Sequence, residues 1–186
     1  MTPFGFGRSG RRRSGFGGAD KPVLAVDIDG VVLLHGFDEP PGWPAATLEM
    51  IDGMIYPVVV GAGDRLRELS KHFDLVWASG WERRSNLLSP MLGLPERPYL
   101  SFGGAARFGS ADWKLNPLSE YAKGRALAWI DDSFDDSCYE WVRVREEPTL
   151  LVPTESERGI QDEHVAALVG WARSLRADPQ EAAEPG

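Results

Sequence analysis

Three short apolar runs, Val23-Leu24-Ala25-Val26, Leu75-Val76-Trp77-Ala78 and Ala126-Leu127-Ala128-Trp129-Ile130, each stop at a polar residue: Asp27, Ser79 and Asp131. Runs that short and that uniformly apolar suit strands covered on both faces, the environment of a parallel sheet. Such strands hold their last residues rigidly at the rim, where open α/β folds build their sites. The polar residues that end the runs are therefore the first candidates for function.

Helical patterns fall between these runs, and alternation of this kind implies a parallel sheet with right-handed crossovers. Residues 64–72 carry Leu66 and Leu69, followed by Phe73, at helical spacing, with Arg65, Arg67, Glu68 and Lys71 on the other faces. A second helix is expected over 82–92, interrupted at Pro90, and then a short strand over 99–102. A third helix begins at Lys114 and stops at Gly124, which suits a left-handed cap. Helix 135–143, strand 149–152 and a final helix 162–175, with Val165, Leu168, Val169, Ala172 and Leu175 as its apolar stripe, complete the pattern.

One segment breaks the alternation. Between residues 31 and 63, two strand-like stretches flank Asp52-Gly53, the dipeptide that favours a tight hairpin, and a Pro/Gly-rich loop containing Trp43 precedes them. An insertion directly after the first site-bearing strand would overhang the rim as a flap that excludes water and selects substrate. The expected fold is thus a three-layer, Rossmann-like α/β domain, a parallel sheet with helices on both faces and a small β-hairpin flap after the first strand.

A chain of 186 residues with 42% apolar and 26% charged composition fits one globular domain with a substantial core. Its boundaries are drawn at 20–176. Residues 1–19 form a Gly/Ser-rich leader with Arg8, Arg11, Arg12 and Arg13, and 177–186 an acidic tail; neither can bury enough surface to fold. The net charge of −8 argues against nucleic-acid binding by the body of the chain, although the arginine leader could touch phosphates as an arm. No stretch reaches the roughly 18 apolar residues that span a bilayer, and no apolar core follows the N-terminal charges, so a cytoplasmic location is expected. The single Cys138 excludes an internal disulfide and a multi-cysteine zinc site, and it is expected to be buried and inert, because His35, His72 and His164 offer it no recognisable pairing.

Asp27 and Asp29 occupy alternate strand positions, and Gly30 lets the backbone turn away from them. Two carboxylates so placed can bind a hard cation and leave an oxygen for chemistry, which suits phosphoryl transfer. Downstream, in order, come Ser79, Lys114 and the pair Asp131-Asp132. Singly, these read as a helix cap, a solvated helix residue and another cap; together and in this order they are specific. Of the seven tryptophans, Trp77, Trp129, Trp141 and Trp171 fit packing positions, whereas Trp81 at the rim beside Gly80 and Trp43 in the flap loop could face a leaving group.

With Asp27-x-Asp29-Gly30, Ser79, Lys114 and Asp131-Asp132 as four ordered motifs, the chain resembles the haloacid dehalogenase-like (HAD) phosphohydrolase superfamily over residues 23–175. The runs Leu75-Val76-Trp77-Ala78-Ser79-Gly80-Trp81-Glu82 and Ala128-Trp129-Ile130-Asp131-Asp132 look like a group of small bacterial HAD-domain proteins. The resemblance implies Mg2+ as cofactor, Asp27 as nucleophile and metal ligand, and Asp29 as acid and base whose carbonyl also binds the metal. It further implies that Ser79 and Lys114 hold the phosphoryl oxygens. Asp132 is then the third protein ligand, with Asp131 supporting Lys114 or a bound water; the reverse assignment stays open.

The expected activity is hydrolysis of a small phosphomonoester, a metabolite or nucleotide. Two alternatives stand beside it: a phosphatase that trims nucleic-acid ends, and a noncatalytic protein that uses the fold and its flap for a partner. A phospho-receiver domain is set aside, because it needs its acidic pair after the first strand, whereas here the pair comes last.

Overall fold

The computed structural model describes residues 21–38, 45–107 and 109–176. The leader, the tail and the loop with Trp43 therefore lie outside the described residues. Four parallel strands form the main sheet: β1 (Val23–Val26), β4 (Asp74–Trp77), β5 (Leu127–Asp131) and β6 (Thr149–Pro153), in the order β4-β1-β5-β6. The hairpin strands β2 (Ala46–Ile51) and β3 (Met54–Val59) form a separate antiparallel pair.

Alternation along the strands divides the core in two. Leu24 and Val26 of β1, Leu75 and Trp77 of β4, and Ala128 and Ile130 of β5 face one cluster. There they meet Leu66 and Leu69 of α1 (Ala62–Ser70) and Leu168 and Ala172 of α4 (Asp162–Ser174). Val23, Ala25, Val76, Leu127 and Trp129 face the other cluster, with Leu118 of α2 (Leu115–Tyr121) and Cys138 of α3 (Asp136–Val144). The strand interiors are apolar because both faces of the sheet are covered, and polar residues fall only at strand ends: Asp74 of β4, Asp131 of β5 and Thr149 of β6. The result is the three-layer, Rossmann-like α/β arrangement.

Strand order positions the site. From β1 the chain crosses to β4 on one side and then returns past β1 to β5 on the other, so the direction of winding reverses between β1 and β5. A crevice opens at the carboxyl ends of strands where such a reversal occurs. Val26 pairs in register with Trp77 and with Ile130, which brings Asp27, Ala78-Ser79 and Asp131 to the same rim.

The hairpin turn is Asp52-Gly53, with φ of 50° and 82°, the left-handed pair that a two-residue turn requires. The hairpin does not hang free. Leu34 N–H donates to Pro57 O at 2.9 Å and Val59 N–H to Val32 O at 3.0 Å, so β3 is stitched to the segment that follows Gly30. Along the hairpin Leu48, Met50, Met54 and Ile55 are more than half exposed.

Two expected elements differ. In place of a helix over 82–92 there is a 3-10 segment, Glu82–Leu87. Asn86 Oδ1 accepts from Trp77 Nε1, Ser89 Oγ and Arg97 N at 3.2, 3.1 and 2.9 Å. Its side chain thus organises the local backbone, and Pro90 lacks the N–H needed to continue. Over 99–102 there is a single bridge, Trp77 to Tyr99, rather than a strand. Gly103 and Gly104, at φ of 58° and 81°, turn the chain away before pairing extends. Among the described residues no helix is long and apolar enough to cross a membrane.

Candidate functional site

The site begins at the turn after β1. The N–H groups of Val31, Val32 and Leu33 all donate to Ile28 O, at 3.2, 2.8 and 2.9 Å, which closes a tight loop directly beyond the strand. Gly30 sits in that loop at φ 71°. A Cβ placed there would lie 2.0 Å from Asp132 Oδ2, so only glycine lets the Asp132 carboxylate approach the β1 turn.

Lys114, delivered by the 3-10 turn Asp112–Lys114 ahead of α2, is buried among carboxylates. Its Nζ lies 2.8 Å from Asp27 Oδ2 and 2.6 Å from Asp131 Oδ2. Asp27 also accepts from Ile28 N at 2.8 Å, and Asp131 accepts from Trp129 Nε1 at 3.1 Å and Ser133 N at 3.1 Å. Burial pushes the Lys114 ammonium toward neutrality, but the two adjacent carboxylates outweigh it and its pKa is raised. Burial, and then the charge of Asp27, hold the Asp131 carboxyl well above the usual carboxylate range.

Asp132 completes a group with Asp27 and Asp131 in which each offers an oxygen within 4.8 Å of the others. It is held by Ser133 Oγ on Oδ1 at 2.8 Å and by Ser156 Oγ on Oδ2 at 2.5 Å, with His35 Nε2 3.0 Å from Oδ2. Thr154 Oγ1 donates to Gly30 O at 2.8 Å, tying the end of β6 to the same turn. Three carboxyl groups lie together beside one buried ammonium, an arrangement that could hold a divalent cation. An all-oxygen donor set of this kind suits a hard ion.

Asp29 stands apart from this trio. Its Oδ2 accepts from Trp81 Nε1 at 3.0 Å, and burial followed by the charge of Asp27 raises its pKa. Ser79 is buried at the end of β4, where its Oγ lies 3.4 Å from Trp81 N and its carbonyl accepts from Glu82 N at 2.9 Å. Among the described residues no hydrogen bond joins Ser79 to the carboxylates. Gly80 is exposed beside it, and a Cβ there would come within 3.1 Å of Ala106. Trp43, the remaining sequence candidate, is outside the described residues.

Of the sequence candidates, the fold thus brings Asp27, Lys114, Asp131 and Asp132 into one cluster, with Ser79 on the adjacent strand end and Asp29 held through Trp81. Sequence reasoning did not find His35, Thr154 or Ser156. Nothing in the spacing marks His35, but Thr154 and Ser156 follow directly on a strand whose partner carries the acidic pair, and that position could have marked them. Cys138 is buried, and its thiol is pushed up to about 11, first by burial, so it carries no thiolate at neutral pH.

The fold and the site together define a class: an α/β protein with a parallel sheet and a carboxylate–lysine cluster at its switch point. No family model matches the chain, and no curated protein matches it.

Proposed function

We propose that the chain is a Mg2+-dependent phosphomonoester hydrolase of the HAD type, acting through an aspartyl-phosphate on a small phosphorylated metabolite or nucleotide. The observation that carries this reading is the Lys114 ammonium shared between Asp27 and Asp131 beside Asp132, which unites the first, third and fourth sequence motifs at one point. Phosphate esters resist attack because their charge repels nucleophiles, and such a cluster with a cation neutralises that charge.

In this reading an Asp27 oxygen attacks phosphorus while the ester P–O bond breaks, and Asp29 gives its proton to the departing oxygen. Water then attacks the phosphorus of the aspartyl-phosphate. Asp29 takes the water proton, the bond between phosphorus and the Asp27 oxygen breaks, and phosphate leaves. The raised pKa of Asp29 supports a residue that must hold a proton before it donates. Lys114 balances charge on Asp27 and on the phosphoryl oxygens, and Ser79 supplies a donor from the neighbouring strand. Asp27, Asp132 and the Asp29 carbonyl would hold Mg2+, with Asp131 engaged by Lys114. Bound there, the ion would draw negative charge off the phosphoryl oxygens.

The test is phosphate release from nucleotides, sugar phosphates and 5′- or 3′-phosphorylated oligonucleotides, with and without Mg2+, with Asp27→Asn as control. Mg2+-dependent release that the variant loses supports the reading. Release confined to oligonucleotides favours the end-trimming alternative.

A second reading, a noncatalytic protein that keeps the fold for binding, is favoured by one observation: the exposed Leu48, Met50, Met54 and Ile55 on the hairpin. It prevails if no ester is hydrolysed and Mg2+ does not bind.

A further inference from the structure

The ring of Trp81 is engaged by the protein on several sides. Its Nε1–H donates to Asp29 Oδ2 at 3.0 Å. Tyr56 of β3 packs against it edge to face, with ring centroids 5.2 Å apart and planes at 65°. The Arg84 guanidinium lies over it at 5.0 Å from the centroid, and Arg84 Nη2 is held by Asp52 Oδ2 in the hairpin turn at 2.8 Å. Both contacts to the ring thus trace back to the hairpin, one through Tyr56 and one through Asp52.

We propose that Trp81 is a positioning residue that orients the Asp29 carboxylate, and that the β2–β3 hairpin acts on the site by holding the Trp81 indole in place. This rests on the reading of Asp29 as the acid that protonates the leaving oxygen. An indole N–H can only donate, so the oxygen it touches must accept. Among the described residues Oδ1 of Asp29 has no hydrogen-bond partner, and it is the oxygen left to meet a leaving group or a water. Loss of the indole N–H frees the carboxylate to rotate about its χ angles, and misplacing a reacting group by about 1 Å costs up to about 100-fold.

The hairpin is suited to transmit force to this contact. Its inner strand is stitched to residues 32–34 through two backbone bonds, so its base moves with the Asp27–Gly30 turn. Its tip reaches Trp81 through Asp52 and Arg84. A partner or substrate that shifts the hairpin therefore shifts the donor of Asp29 without touching Asp29 itself.

Two measurements on the full chain test the proposal. In a 15N–1H correlation spectrum the Trp81 indole resonance is identified by its disappearance in Trp81→Phe. Asp29→Ala is expected to shift it and to speed its hydrogen exchange, and Tyr56→Leu and Asp52→Ala are expected to do the same more weakly, with the Trp129 indole unmoved. A resonance indifferent to all three substitutions overturns the proposal.

In kinetics, Trp81→Phe is expected to lower kcat about tenfold or more for alkyl phosphates, whose leaving oxygen needs a proton, and less than about threefold for 4-nitrophenyl phosphate, with KM unchanged. Equal losses on both substrates, or a change in KM alone, sink it. If Trp81→Phe fails to fold, Tyr56→Leu and Asp52→Ala keep the indole and are expected to give the same split at smaller size. Should the wild-type chain hydrolyse neither ester, the hydrolase reading falls, and the indole resonance still decides whether Trp81 and the hairpin hold Asp29.

Discussion

Lys114 Nζ stands 2.8 Å from Asp27 Oδ2, at the point where the first strand of the sheet ends and with both side chains buried. The same ammonium reaches Asp131, so one positive charge serves two carboxylates. Removing one partner of a buried ionic cluster leaves the others uncompensated, typically at a cost of about 3–5 kcal/mol. Lys114→Met is therefore expected to lower the free energy of urea unfolding by about that amount without added metal. A loss below about 1 kcal/mol would show that the carboxylates do not depend on it.

If the carboxylate cluster at the rim holds a divalent cation, as proposed, the ion is expected to stabilise the folded chain. Mg2+ at about 100 times its Kd is expected to add about 2.7 kcal/mol, read as a rise in Tm at neutral pH, and EDTA is expected to reverse it. Asp132→Asn is expected to weaken this response strongly, because Asp132 is in the trio that faces one point. An unchanged response in that variant would place the ion elsewhere.

Gly30 tests how closely Asp132 must approach the β1 turn. Gly30→Ala sets a methyl group 2.0 Å from Asp132 Oδ2 at a φ of 71°, whereas Gly124→Ala, at φ 73°, meets nothing within 4 Å. The second change is expected to cost about 1 kcal/mol for the left-handed backbone alone. The first is expected to cost more and also to weaken Mg2+ binding. Equal costs, with Mg2+ binding intact, would mean that Asp132 moves aside freely.

Asp135 caps α3, accepting from Ser137 N at 3.0 Å and Cys138 N at 3.3 Å, and it also accepts from Ser110 Oγ at 2.5 Å. These bonds, that of Ser110 foremost, lower its pKa to about 2. A carboxyl with a depressed folded pKa stabilises the fold above its unfolded pKa and loses that contribution as pH falls through the folded value. Asp135→Ala is expected to cost about 1 kcal/mol at pH 6, and the gap to wild type is expected to close as pH falls from about 4 to about 2. A gap that stays constant over that range would show that the charge of Asp135 contributes nothing.

The fold was largely legible because its signals are local. Apolar runs marked β1, β4 and β5, the strand-like stretch 149–152 marked β6, helical spacing marked α1 and α4, and Asp52-Gly53 marked the hairpin turn. The segment over 82–92 misled because its composition allows helix, while the Asn86 side chain, bonded to Trp77 and Arg97, organises the backbone otherwise. That competition is set by residues brought near from outside the segment.

The site divides in the same way. Sequence order alone singled out Asp27, Asp29, Ser79, Lys114, Asp131 and Asp132, because each sits at the end of a strand or the start of a helix, and such ends are visible within a few residues of chain. Tertiary structure alone decided that Lys114 lies between Asp27 and Asp131, that His35 and Ser156 meet Asp132, and that Trp81 holds Asp29. Those contacts depend on the strand order β4-β1-β5-β6 and on how a hairpin docks, and short-range periodicity carries no information about either.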